Sequence, residues 1–260
     1  MNSGKLQEHF LATYCTLRVG LAALALAFPL ILMGLGAWYG LSLQRSMSAY
    51  YYAFAPQASE PFPLRVYFVG ILFAIGCFLS LYRGYSNTEN WFLNIAGISA
   101  LLVAIFPMEM PADCKNCGAD TLVGVHYVAA SLLFGCVAFV AFTCSEETLV
   151  ELPEESKKRR AYRALYDMTA TLMIALPLFS VGLAYFFGVR DWRTFVAEFA
   201  GIYAFAAYWI VKSVELCFDK DTKMVEEMAM KGRMPTYDGP VARTDSQKVS
   251  GRLWLGRLLD

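Results

Sequence analysis

Charge is the scarce ingredient of this chain. Lys, Arg, Asp and Glu make up 17% of its 260 residues against 57% hydrophobic, whereas a water-soluble domain runs at about 25% charged and 45–50% apolar. So much apolar area cannot all be hidden in one core, and the excess has to face lipid. The formal net charge is zero, which leaves no basic field for a polyanion and excludes nucleic acid as a partner. Histidine is nearly absent: there are two, His9 and His126. Two cannot ligate a pair of haems or supply a three-histidine zinc centre. The chain also has no P-loop, no G-x-S-x-G and no G-x-G-x-x-G, so nothing in it calls for a nucleotide, an acyl-enzyme or an organic cofactor.

Seven cysteines (Cys15, Cys77, Cys114, Cys117, Cys136, Cys144, Cys217) are scattered, mostly inside apolar runs, and form no disulfide framework. Five of them read as small buried hydrophobes, which leaves Cys114 and Cys117 as the candidate pair. Ten prolines and nineteen glycines would damage soluble helices. Bundled transmembrane helices tolerate them, because neighbours satisfy the freed backbone groups.

What is present is a series of charge-free runs. Residues 19–44 contain no charged side chain, more than the roughly 20 residues that cross a hydrocarbon core of about 30 Å. Trp38 and Tyr39 follow its most apolar part, as interfacial anchors do, so the run reads as a retained helix rather than a cleaved signal. Further helices are expected over 66–82, 91–108, 121–145, 168–189 and 194–216. The expectation is an all-α, six-helix transmembrane bundle over 19–216, preceded by an interfacial segment, 1–18, and followed by a polar tail, 217–260. Lys157, Lys158, Arg159, Arg160 and Arg163 between helices 4 and 5, with Lys220, Lys223, Lys231 and Arg233 in the tail, mark the cytoplasmic side. With six crossings both termini lie there.

Few groups could carry chemistry. The loop after helix 1 holds Tyr50, Tyr51 and Tyr52 among three prolines, a make-up suited to the headgroup level. Asn94 lies in helix 3, His126 enters helix 4 and Glu198 enters helix 6. Ionisable groups at that depth are functional candidates by default, and Glu198 and His126 share one side of the membrane. Lys212 and Glu215 read as an i,i+3 pair. Cys114-x-x-Cys117 lies on the expected outer, oxidising side, where a local disulfide is the plain reading. With His126 it is also part of a zinc-ligand set. With Met108, Met110 and His126 it offers soft ligands for Cu(I).

The stretches SMSAYYYA (46–53), RVYFVGILFAIGCFLSLYRGY (65–85) and NIAGISALLVAIFP (94–107), with His126 opening the next helix, resemble a group of bacterial six-helix membrane proteins of unknown function. That group is in turn distantly similar to the DRAM-like membrane proteins of eukaryotes. The resemblance implies the fold and a membrane, and the group's eukaryotic relatives point to membrane lipid as the partner. The location expected is the bacterial inner membrane, and the charged stretch between helices 4 and 5 and the polar tail offer a surface for a homo-oligomer or a second membrane subunit. Three activities stay open: binding of a lipid or small apolar ligand through Tyr50, Tyr51, Tyr52, Asn94, His126 and Glu198; proton-coupled transport through Glu198 and His126; and metal binding through Cys114, Cys117 and His126.

Overall fold

A computed structural model describes residues 3–55, 58–109, 123–145, 149, 157–188 and 192–218. Among them are six long helices and no strand: α1 (Ser3–Trp38), α2 (Leu64–Leu81), α3 (Asn87–Ile105), α4 (Val123–Thr143), α5 (Lys157–Phe186) and α6 (Arg193–Ser213). Each contains a stretch long and apolar enough to cross a membrane. The shortest, α2, has 18 residues and so extends about 27 Å at 1.5 Å per residue, close to the thickness of the hydrocarbon layer. The outer surface is apolar as well. Leu178 is 68% exposed and Phe186 88%, a pattern that water would penalise and lipid accepts. The protein is an all-α, multi-pass integral membrane protein, as its composition requires.

The helices differ from the sequence expectation mainly at their ends. α1 begins at Ser3 rather than near residue 19, so the N-terminal lead-in is a continuation of the first helix. It stops before residue 44, because Gly40 takes a left-handed φ of 73°. Gly40 N–H then reaches Ala37 O at 3.0 Å and Leu41 N–H reaches Gly36 O at 2.8 Å, the paired bonds of a Schellman terminus. α3 starts at Asn87 because Ser86 Oγ accepts the Glu89 N–H at 3.1 Å, a capping arrangement with Glu at the third position. α5 reaches back to Lys157, so the basic run KKRR is its first turn rather than loop. Beyond α6 the chain continues as a π-helical turn, Val214–Phe218.

Packing follows chain order. Each helix contacts the next, and α6 returns to α1, closing a ring. α2 and α3 approach backbone to backbone. A Cβ on Gly76 would stand 2.8 Å from Gly97 O, and one on Gly97 would stand 2.7 Å from Gly76 O. The two backbones touch there because neither residue has a side chain. The bundle has a loop face, where α1, α3 and α5 end and α2, α4 and α6 begin, and a terminal face opposite. A 3-10 turn, Ser48–Tyr52, folds back over the loop face and is tied to α6 by Phe195 N–H on Arg45 O, 3.0 Å.

Candidate functional site

The 3-10 turn presents unpaired N–H groups at its start, as any short helix does. They are met from another part of the chain. Glu198, about one and a half turns into α6, accepts Met47 N–H on Oε2 at 2.5 Å and the Ser48 hydroxyl on Oε1 at 3.1 Å. Ser46 Oγ accepts Ala49 N–H at 2.9 Å. The same Ser48 Oγ lies 3.2 Å from His126 Nε2, and His126 Nδ1 lies 2.8 Å from Phe106 O. Glu198 and His126, both singled out from the sequence, are therefore brought together through Ser48.

The hydrogen-bond bookkeeping fixes what this trio can do. Phe106 O can only accept, so His126 Nδ1 carries a proton. Ser48 has one hydroxyl hydrogen and two neighbours that want it. Every group is satisfied in two states: a protonated Glu198 donating to Ser48, which donates to a neutral His126, or an imidazolium donating to Ser48, which donates to the Glu198 carboxylate. The two states interconvert by two coupled hops, the Glu198 proton moving to Ser48 Oγ as the Ser48 hydrogen moves to His126 Nε2, so the trio can pass one net proton between an acid and a base. His126 is buried and both its ring nitrogens are engaged, so ligating a metal would require it to give one up.

Glu198 and Ser48 also form the polar end of a cavity of about 70 Å³ inside the ring. Its other walls are apolar, with Phe28 from α1, Phe68 from α2, Val103 from α3, Phe134 from α4 and Phe205 from α6. A water occupies about 30 Å³ of liquid, while an engineered cavity that binds benzene has about 150 Å³. This one sits between those sizes.

The remaining sequence candidates lie elsewhere. Tyr50 and Tyr52 are buried and Tyr51 half-buried in the 3-10 turn. Tyr51 packs edge-on against Tyr52 and Phe68 at 4.8 and 6.0 Å between centroids. These rings close the loop face and do not line the cavity; burial pushes the Tyr50 phenol above its ordinary pKa. Asn94 is half-buried, eleven residues before the end of α3 and so about 16 Å from that face, and takes no part in the site. Cys114 and Cys117 lie outside the described residues. Among the described residues no three His, Cys, Asp or Glu side chains gather as a metal site.

A second polar cluster lies at the terminal face, of which the sequence singled out Lys212 and Glu215 but not their partners on other helices. Lys212, fully buried, forms an ion pair with Glu89 of α3, also fully buried, and donates to Tyr208 at 3.2 Å. Glu89 also accepts Tyr85 N–H at 2.7 Å. Glu215 takes the hydroxyl of Tyr166 on α5. Lys212, in the last turn of α6, and Glu215, in the π-helical turn after it, thus each meet another helix of the bundle. Arg18 of α1 donates to Tyr82 from Nε and Nη2 at 3.1 and 2.8 Å and stacks on Tyr14 at 3.9 Å. Burial raises the pKa of the Tyr82 phenol, so it meets that guanidinium as a neutral acceptor. Beside this cluster Cys15 and Cys217 are joined in a disulfide with their Cα atoms 5.7 Å apart. That corrects the reading of both as isolated buried hydrophobes. They lie 202 residues apart in the chain and meet only because the ring closes.

Comparison with protein families, with curated proteins and with solved structures finds no match.

Proposed function

We propose that this protein binds a small apolar molecule, or the end of a lipid chain, inside its helix ring, with Glu198 and Ser48 as the polar anchor. The observation that carries this reading is the cavity itself: five helices contribute apolar walls and a single acid–hydroxyl pair stands at one end. Ligand pockets commonly combine apolar walls with a few convergent polar groups. At about 70 Å³ the cavity takes a fragment of a ligand, and a larger one enters as the helices part. The test is to fill it. Ala130→Phe places a ring in the cavity, whereas Leu132→Phe, on the lipid-exposed side of α4, does not. Chromatography and mass spectrometry of the detergent-purified proteins should find a stoichiometric apolar molecule with the native chain and Leu132→Phe, and none with Ala130→Phe. Equal amounts in all three would remove the proposal.

The proton shared by Glu198, Ser48 and His126 favours a second reading, proton-coupled transport across the membrane. In liposomes, a pH gradient should then drive uptake in the native protein and not in Glu198→Gln. In either reading the basic first turn of α5 (Lys157, Lys158, Arg159, Arg160) supports placing the terminal face in the cytoplasm, with the bacterial inner membrane as the location.

A further inference from the structure

A second concavity lies apart from the cavity inside the ring. A groove of about 710 Å³ opens on the loop face where α1 ends and α2 begins, lined by Tyr39, Glu60, Phe62, Arg65 and Tyr67 among others. Arg65 is the second residue of α2 and so sits where the membrane span starts. Its guanidinium carbon lies 4.5 Å from the Tyr51 ring centroid, 4.6 Å from Phe62 and 5.7 Å from Tyr52. Three aromatic rings hold it in place by cation–π contact.

The cage supplies almost no hydrogen-bond acceptor. A guanidinium always carries its charge and has five N–H donors. Here Nε–H donates to Tyr51 O at 3.4 Å, Nη2 is buried without an acceptor, and no carboxylate pairs with Arg65 among the described residues. A cation held rigidly at the edge of the hydrocarbon layer with unmet donors is poorly solvated. With Nη2 closed off and Nε–H given to Tyr51 O, the charge and the Nη1 donors are what Arg65 offers the groove, and the membrane group at that depth that matches them is a lipid phosphate. Glu60 adds the second half. It is exposed on the same groove and likewise has no ion-pair partner among the described residues. The groove therefore presents one cation and one anion.

We propose that this groove binds the headgroup of a zwitterionic, amine-bearing phospholipid, with the phosphodiester on Arg65 and the ammonium on Glu60. Tyr39, Phe62 and Tyr67 provide apolar walls for the glycerol and the first methylenes. Val66, 74% exposed, continues that wall toward the acyl chains. An anionic lipid without an amine would satisfy Arg65 but meet a like charge at Glu60. This site is separate from the cavity and does not depend on what the cavity holds.

The experiment is a native mass-spectrometry titration of the delipidated full-length protein in detergent. It uses phosphatidylethanolamine and phosphatidylglycerol of identical chains, with inorganic phosphate and glycerophosphoethanolamine as tail-less competitors. The native protein should retain the amine lipid several-fold better. Arg65→Gln should weaken both lipids about tenfold, the scale of one charge-assisted contact. Glu60→Gln should abolish the preference while keeping the binding. Unchanged retention in Arg65→Gln, or a preference that survives Glu60→Gln, overturns the proposal. Displacement by either competitor at lipid-like concentrations also overturns it, in favour of a soluble phosphoester site. Should Arg65→Gln fail to fold, the rim variant Glu60→Lys decides, since it should reverse the preference toward phosphatidylglycerol and no reversal counts against the site.

Discussion

At the scale of single residues, most polar side chains described in the interior of this molecule meet a partner, Arg65 Nη2 and Trp209 Nε1 being exceptions. Ser48 is the clearest case, since its hydroxyl serves both His126 and Glu198. Ser48→Ala leaves a buried ring nitrogen and a carboxylate oxygen short of a partner and should cost about 1–3 kcal/mol. Thermal unfolding in detergent measures it, and an unchanged midpoint would mean that the hydroxyl bridges nothing. The Lys212–Glu89 pair makes a stronger prediction. Removing one partner strands the other charge, so Glu89→Leu and Lys212→Met should each cost about 3–5 kcal/mol. The double variant, which buries no charge, should be more stable than the sum of the two. A strictly additive double-mutant cycle would show that the two do not interact.

Elements meet in this fold where side chains are missing. α2 and α3 approach through Gly76 and Gly97, whose added Cβ atoms would press on the opposite carbonyl oxygen. A carbonyl in a helix cannot step aside as a side chain can. Gly97→Val should therefore separate the helices at a cost of about 1–3 kcal/mol, the usual range for overpacking. Gly135, where nothing lies within 4 Å of an added Cβ, should accept Ala without loss. Folded yield by size-exclusion chromatography compares the two, and a tolerated Gly97→Val would mean that the seam is looser than described.

The whole molecule is a ring closed by α6 on α1, and the Cys15–Cys217 bond sits at that closure. A cross-link enclosing so long a loop restricts the unfolded chain and typically adds about 2–4 kcal/mol. In oxidised, purified protein, Cys15→Ser should therefore lower the unfolding midpoint and slow migration on a non-reducing gel to the reduced position. If the basic residues of α5 face the cytoplasm, the two sulfurs face a reducing compartment. The pair should then alkylate as thiols in living cells and join only after exposure to air. Recovery of the bond from rapidly acid-quenched cells would reverse the orientation.

The sequence by itself determined that this chain lives in lipid and how often it crosses. Both follow from the length and spacing of charge-free runs, a one-dimensional property that burial in a bilayer enforces span by span. It also pointed to Glu198 and His126, because an ionisable side chain is conspicuous in an apolar run. Helix ends were legible only in part. The stop at Gly40 and the start after Ser86 come from local hydrogen bonds, but the extension of α5 through Lys157 shows that charged residues can begin a helix as well as a loop. Only the tertiary structure decided who partners whom. Ser48 meets groups 78 and 150 residues away, and Lys212 meets Glu89 across 123 residues. Such pairings depend on which helices are neighbours and how each is rotated about its axis. With lipid on one side and an equally apolar core on the other, hydrophobic patterning barely records that rotation.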